Sequence, residues 1–407
     1  MAFGINKTRL SPIAIDFGVD ALKLLQISTN GDTTQLVGAA SVVIPEKARK
    51  DGAARYAFLA DALKELVRQQ PFKGRRVMCA IPAFQTLVNT FELQCNENDD
   101  INQQVNLHLQ TVMEKDPSRM VIRNQRVGSV VRDGSTRQRV ICIAAGRAVV
   151  MRYLEMATAA KLEVVGMHSE PVCIARGFSE LYNRRDADKT EARCFIDIGA
   201  AATKLVIIRD QEILLARNIA VSGDELTRRH AKEHKVDFAE ARLARMREAK
   251  NPLAARPFPS FADKQKSEQL KAALAGATGE QTAIATEDQT DTDGQRRERG
   301  LVERPAELSE LDETLDTLVD DIRLTVRYHN AVKPDSPVKR VVLLGGEAHQ
   351  RMIAEAIAHA FGVPTFVGDP LARVMRTPGL TPVGVDMNQP QPGWAVPLGV
   401  CLSEANL

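Results

Sequence analysis

Two short stretches of this sequence place a carboxylate and a glycine where a phosphate can be held. Ile15-Asp-Phe-Gly18 and Ile196-Asp-Ile-Gly199 each close an apolar, strand-like run with Asp, one further residue and Gly. A glycine at the turn of a hairpin lets the backbone come close to an anion. The amides of such a turn form a nest of donors for phosphate oxygens. Asp16 and Asp197 end their strands facing one cleft. Two carboxylates so placed can hold a hydrated Mg²⁺, a cation that keeps several waters when bound. A third stretch, Leu343-Leu-Gly-Gly-Glu347, runs from strand to glycine pair to helix. It puts Gly345, Gly346 and a helix N-terminus where a nucleotide could lie.

The two Asp-x-Gly stretches belong to a longer repeat. Residues 15–27 align without gaps on residues 196–208, with seven of thirteen positions identical. Each copy is followed by another apolar run, Leu36 to Ile44 and Ile213 to Val221. The repeated object is thus a hairpin plus a third strand, and the chain reads as two related α/β halves. Around this frame, hydrophobic spacing predicts a helix over 53–69 and a strand over 76–81. A small α+β insertion is expected over 83–145. A helix over about 147–160 leads to a strand at 163–167 and a helix opened by Glu170-Pro171, proline being tolerated in a first turn. In the second half, strands at 194–198, 203–209 and 212–219 precede a helix from Ser222 to about 248. A helix at 306–332, a strand at 339–344, a helix at 349–361, a strand at 364–367 and a closing helix within 393–402 complete the pattern. Residues 255–304 have little to bury and read as a disordered or loosely helical insertion.

Composition excludes several functions. Lys and Arg number 54 against 52 Asp and Glu, for a formal net charge of +2, so there is no electrostatic case for a nucleic-acid partner. The six cysteines form no CxxC pair and sit mostly in apolar runs, as small buried hydrophobes do. No run approaches the ~18 apolar residues of a membrane span. The expectation is a cytoplasmic protein without direct membrane insertion.

The order of phosphate loop, second phosphate loop and Gly-Gly loop resembles the actin, hexokinase and heat-shock-chaperone superfamily. Within it the chain most resembles the PilM family of actin-like proteins in type IV pilus assembly, and the related cytoplasmic parts of type II secretion platforms. The resemblance is carried by Ile13-Ala-Ile-Asp-Phe-Gly18, Val149 to Pro171, Phe195-Ile-Asp-Ile-Gly199, Ile213 to Leu226, and Val341-Leu-Leu-Gly-Gly-Glu347 with Gly362-Val-Pro364. It covers about 10–250 and 306–403 and omits the insertion.

The resemblance implies a duplicated actin-like (ribonuclease H-like) fold, with a first half over 10–185 that includes the subdomain 83–145, and a second half over 186–403. It implies ATP with Mg²⁺ in the cleft. Asp16 and Asp197 then match the carboxylates that bind the metal's waters, Gly18 and Gly199 the phosphate-loop glycines, and Gly345 and Gly346 the adenosine-side glycines. Glu170 matches the glutamate that orients attacking water, where a carboxylate can align it and accept a proton late; it also suits the cap of the helix that Pro171 starts. Glu240 matches a nucleoside contact. Lys23 and Lys204 lie further along the hairpins, where strand lysines ordinarily face solvent, and Lys23 is carried as a nucleotide-binding candidate. The implied partner is PilN-like, a single-span inner-membrane protein whose cytoplasmic peptide docks in a groove beside 83–145 and holds the chain at the membrane. Self-association stays open.

Two departures temper this. The first loop continues Val19-Asp20 in place of a hydroxyl residue, and a carboxylate there repels a triphosphate unless it is neutralised or turned away. The second continues Ala200-Ala-Ala202, so the first hydroxyl is that of Thr203. At most slow ATP hydrolysis is expected, and the implied function, a nucleotide-binding adaptor for a type IV pilus or type II secretion platform, competes with a filament-forming or cell-division ATPase, a small-molecule kinase, and a nucleotide-free scaffold.

Overall fold

A computed structural model describes residues 8–31, 33–96, 98–182, 189–248 and 310–407. The expected insertion at 255–304 lies outside these residues. The chain opens with β1 (Arg9–Leu10), β2 (Ile13–Phe17), β3 (Ala21–Asn30) and β4 (Thr33–Val43), followed by α1 (Glu46–Lys50), α2 (Gly52–Gln69) and β5 (Arg76–Ile81). Next come β6 (Thr86–Leu93), α3 (Ile101–Thr111), β7 (Met120–Arg132) and β8 (Ser135–Gly146). Then α4 (Arg147–Ala159), β9 (Glu163–Ser169) and α5 (Glu170–Tyr182) lead to the second repeat. That repeat holds β10 (Ala192–Ile198), β11 (Thr203–Arg209), β12 (Glu212–Ile219), α6 (Gly223–His234) and α7 (Phe238–Glu248). The remainder is α8 (Glu310–Val332), β13 (Val338–Leu344), α9 (Arg351–Ala360), β14 (Thr365–Val367), β15 (Val374–Met375) and α10 (Ala395–Leu402).

The repeat extends to whole sheets. One sheet runs β15-β4-β3-β2-β5-β9, with β1 added on β3, and the other runs β12-β11-β10-β13-β14. In each, an antiparallel hairpin and third strand are joined by parallel strands on the far side of the first strand. All five residues of β2 and all seven of β10 are buried, because both faces of these central strands are covered. Side chains alternate between faces. Ile13, Ile15 and Phe17 therefore enter the core beneath α2 and α4, while Ala14 joins the layer between the sheets. Asp16 follows Ala14 onto that inner face. Likewise Ile196 and Ile198 enter the second half's outer core, Phe195 the inner layer, and Asp197 follows Phe195. The duplicated actin-like architecture thus turns both aspartates inward.

The inner layer is filled by α5 and α10, which pack against each other and against both sheets. The three-stranded sheet β6-β8-β7 and α3 have a small core of their own, including Phe91, Val105, Leu109 and Val140. All six cysteines are free and buried.

Three expectations need correction. The helix expected from Ser222 to about 248 breaks at Lys235, whose φ of 55° ends α6 in the left-handed region. Asp237 then starts α7 by accepting a 2.8 Å bond from the Glu240 amide. The segment beyond 370, expected to finish the second half, returns to the first sheet. There β15 pairs with β4, Val383 bridges Ala40, and the Asn406 side chain both accepts from and donates to the Met167 backbone at 2.9 Å. Finally, the helix expected over 349–361 is preceded by a 3-10 turn, Gly346–His349, that follows Gly345 directly.

Candidate functional site

Between the two inner faces lies a cleft of about 290 Å³ lined by both hairpin loops, the Gly345-Gly346 turn, Glu170 and the Pro392–Trp394 turn. Its base is built by register. Asp16 pairs across the hairpin with Lys23, and Asp197 pairs in the same way with Lys204. Directly opposed residues of an antiparallel pair share a face. Both lysines therefore point into the cleft, and their expected solvent-facing position is overturned.

The two loops orient their backbones by different means. In the first, the buried Arg55 of α2 donates to the carbonyls of Phe17 (3.1 Å), Gly18 (2.8 Å) and Val19 (3.1 Å). A trans peptide points its N–H opposite to its C=O. Holding these three carbonyls on Arg55 leaves the amides of Gly18, Val19 and Asp20 on the opposite side of the loop. In the second loop the carbonyls of Gly199 and Ala200 accept 2.9 Å bonds from the amides of Gly223 and Asp224, at the start of α6. This aims the amides of Ala200 and Ala201 the other way. Each loop thus has its carbonyls tied down on one side and its backbone amides on the other. Burial opposes the charge on Arg55, yet the nearby Tyr153 and Tyr56 hydroxyls favour it.

The charges at the base are unevenly paired. The Lys204 ammonium lies 2.9 Å from Glu170 Oε2 and 3.1 Å from Asp197 Oδ1. Burial works against that ammonium, but Asp197 and Glu170 outweigh it and hold its pKa above the ordinary value. Glu170 Oε1 accepts a 3.1 Å bond from the Ala83 amide. Lys23 instead donates to the Gly393 carbonyl at 2.6 Å and lies 4.0 Å from Asp16. Asp16, only 5% exposed, is pushed up to about 7, chiefly by burial and against the pull of Lys23.

This asymmetry predicts different tolerances. Asp16→Asn is expected to change stability by less than about 1 kcal/mol, since an amide mimics the protonated acid that burial favours. Asp197→Asn is expected to cost about 3 kcal/mol, because it strips one partner from a buried ammonium. Urea midpoints of the two variants check this, and equal losses would contradict it.

The lip of the cleft is closed by a chain of charges. Asp20 pairs with Arg49 at 3.2 Å and with Arg242, and Arg49 also pairs with Asp224. These contacts join the first loop and α1 to α6 and α7 in the second half. Asp20 is therefore neutralised rather than left to repel an anion. On the far wall, Gly345 has φ 85°, and a Cβ there would lie 2.3 Å from the Ile198 carbonyl and 2.5 Å from Asp197 Oδ1. Only glycine lets this turn pass so close to the carboxylate. Beside it, Glu347 pairs with Arg245 at 2.5 Å; burial raises the Glu347 pKa and Arg245 restrains the rise.

Of the residues singled out in the sequence, Asp16, Gly18, Lys23, Glu170, Asp197, Gly199, Gly345 and Gly346 line the cleft together. Thr203 does not. Its hydroxyl is fully buried and donates to the Val221 carbonyl at 2.7 Å. Glu240 is exposed in the first turn of α7 and also lies off the cleft, whereas Arg242, two residues on, reaches it. Arg55 and Arg245 were not singled out as site residues in the sequence, and Lys204 was read there as facing solvent. For Lys204 a signal was present, because Asp and Lys recur seven residues apart in both hairpins. Among the described residues no three His, Cys, Asp or Glu side chains converge to hold a metal directly.

No curated protein matches the chain in sequence. A solved PilM–PilN type IV pilus biogenesis complex is similar over 98% of both chains, with a TM-score of 0.65 at 20% identity. The ethanolamine utilization protein EutJ from Carboxydothermus hydrogenoformans aligns over 97% of this chain and 89% of its own, with a TM-score of 0.45 at 14% identity. MreB 5 of Spiroplasma citri, bound to AMPPNP, aligns over 97% and 95%, with a TM-score of 0.43 at 12% identity. The family model described as type IV pilus assembly protein PilM matches residues 14–252, more than half of the sequence, and the chain belongs to that family.

Proposed function

We propose that this chain is a nucleotide-holding adaptor in type IV pilus assembly. The observation that carries the nucleotide half is that two glycine loops line one cleft, the first with its carbonyls held by Arg55 and the second with its carbonyls held by the start of α6, so that each has its opposite-facing amides left to offer a phosphate. Backbone donors of this kind suit phosphate oxygens, and Lys23 and Lys204 offset the carboxylates at the base. ATP, when bound, supplies a polyphosphate that both loops grip at once, which ties the two halves together. The Gly345-Gly346 turn lies on the adenosine side.

Both carboxylate oxygens of Glu170 are engaged, by Lys204 and by the Ala83 amide. A carboxylate so held is a poor base for water. The cleft therefore suits holding a nucleotide, and any hydrolysis is slow. The occupied and empty states differ in how firmly the halves are joined, and a ligand shifts such an equilibrium by its differential affinity.

The partner half rests on family membership and on the PilM–PilN complex that the fold resembles. The partner is a PilN-like membrane protein whose cytoplasmic peptide docks beside the three-stranded unit. Among the described residues no helix is long and apolar enough to cross a membrane. A membrane position would therefore come through such a partner.

Calorimetric titration with ATP tests the first half. Wild type is expected to bind saturably, and Arg55→Ala to bind at least about tenfold more weakly, since each factor of ten is about 1.4 kcal/mol and three loop carbonyls lose their anchor. No saturable binding by wild type sinks the nucleotide reading. For the second half, an immobilised PilN-like cytoplasmic peptide is expected to retain the protein; failure both with and without ATP sinks the adaptor.

A further inference from the structure

We infer that Lys204 is the resident cation of this cleft, so that the site takes its nucleotide without a divalent metal. The inference rests on the nucleotide reading above. In a cleft of this kind the carboxylates at the strand ends would be expected to hold the water shell of Mg²⁺. Here one of those carboxylates, Asp197, shares an ammonium with Glu170, at 3.1 and 2.9 Å. Lys204 is only 7% exposed, and both carboxylates are equally buried.

The placement is built into the fold. Lys204 is the cross-strand partner of Asp197, so register alone delivers its side chain to that carboxylate. A Cβ on Gly199 would lie 3.2 Å from the Lys204 Nζ, so the loop glycine leaves room for it. Withdrawing the ammonium would leave two buried carboxylates uncompensated, which is strongly unfavourable. Magnesium is also demanding. It needs near-octahedral oxygen geometry and keeps its waters, and a fixed ammonium stands where carboxylate-bound waters would be.

The first hairpin makes the contrast. Lys23 has the same register but is drawn aside to the Gly393 carbonyl, 4.0 Å from Asp16. Its ammonium does not bridge two carboxylates. The cation function has been taken by one copy of the repeat, and the other copy's lysine braces the Pro392–Trp394 turn.

The test is ATP binding by the full chain in EDTA and in Mg²⁺. Wild type is expected to bind with affinities within about threefold of each other in the two buffers. Lys204→Ala is expected to lose about tenfold or more in EDTA and to recover with Mg²⁺, since the vacated carboxylates can then bind the metal's waters. A second readout uses Mn²⁺ with ATP: water-proton relaxation should show no protein-immobilised Mn²⁺ for wild type and clear immobilisation for Lys204→Ala. Wild-type binding that requires Mg²⁺ overturns the inference and leaves the nucleotide reading standing. No binding in either buffer overturns both. Should Lys204→Ala fail to fold, the wild-type comparison alone decides.

Discussion

Gly399→Ala is expected to be the most damaging single substitution in the described chain. A Cβ at Gly399 would lie 1.8 Å from the Cys173 carbonyl oxygen, 2.4 Å from its carbon and 2.7 Å from its Cα. These are backbone atoms inside α5, so no side-chain rotation can relieve the clash. The helix α10 would have to move off α5, and both helices carry the apolar layer between the sheets, including Ile174, Phe178, Val396 and Leu398. Forcing extra volume into a packed core ordinarily costs about 1–3 kcal/mol, and more where the backbone must move. A loss above about 3 kcal/mol is expected, a large share of the ~5–15 kcal/mol that holds a domain folded. Gly177 is the internal control. It sits at the same crossing, but its Cβ would be 3.2 Å from the Ala395 carbonyl and 3.3 Å from the Gly399 amide, which a small shift accommodates. Gly177→Ala should therefore unfold at a clearly higher urea concentration than Gly399→Ala, and the reverse order would refute this account of the crossing.

Arg245→Met is expected to come second, with a loss of about 3–5 kcal/mol, the usual cost of breaking a buried ion pair by removing one partner. Arg245 is 4% exposed. It donates to the Gly223 carbonyl at 2.9 Å, to Thr227 Oγ1 at 2.6 Å and to Glu347 at 2.5 Å. One side chain thus fixes α7 onto the start of α6 and onto the turn after Gly346. The substitution leaves the largely buried Glu347 carboxylate without its cation. Adding Glu347→Leu removes that stranded charge and should recover more than half of the loss, because the penalty lies mainly in the unpaired group. Urea denaturation of both single variants and the double variant completes the cycle. A near-wild-type midpoint for Arg245→Met would show that the pair contributes nothing.

Much of the fold was legible because the repeat is written in local pattern. Ile15 to Ile27 and Ile196 to Ile208 share alternation, turn glycine and length, and those features alone specify a hairpin. Likewise the apolar stripe of Leu59, Leu63 and Leu66 announced α2. The break at Lys235 was harder to see. Nothing in Lys235-Val236-Asp237 forbids a helix, and the interruption depends on a lysine taking a left-handed conformation and an aspartate capping α7. The return of the C-terminal segment to the first sheet was not legible at all, since Val374 meets Thr34 across the whole chain and no local pattern records that pairing.

The site divides in the same way. Its carboxylates and glycines were found because chemistry at turns leaves a motif. The arginines were missed because each acts from another element: Arg55 from α2, Arg49 from α1, Arg242 and Arg245 from α7. Asp20 looked hostile to phosphate only because its two guanidinium partners lie 29 and 222 residues further along the chain. Lys204 looked like a surface residue because strand alternation was read without the helix α5 that brings Glu170 over it.

The two copies of the repeat also differ in how they can be broken by inheritance. The first loop depends on the guanidinium of Arg55, so replacement of one side chain releases three carbonyls. The second depends on the amides of Gly223 and Asp224; any residue except proline keeps the amide at 224, whereas a Cβ at Gly223 would lie 2.5 Å from Glu347 Oε1. Each loop thus has one anchoring position, Arg55 or Gly223, at which a single substitution disturbs it. Because the two anchors sit on different elements, α2 and the start of α6, a descendant of this chain can lose the shape of one loop while the other keeps its own.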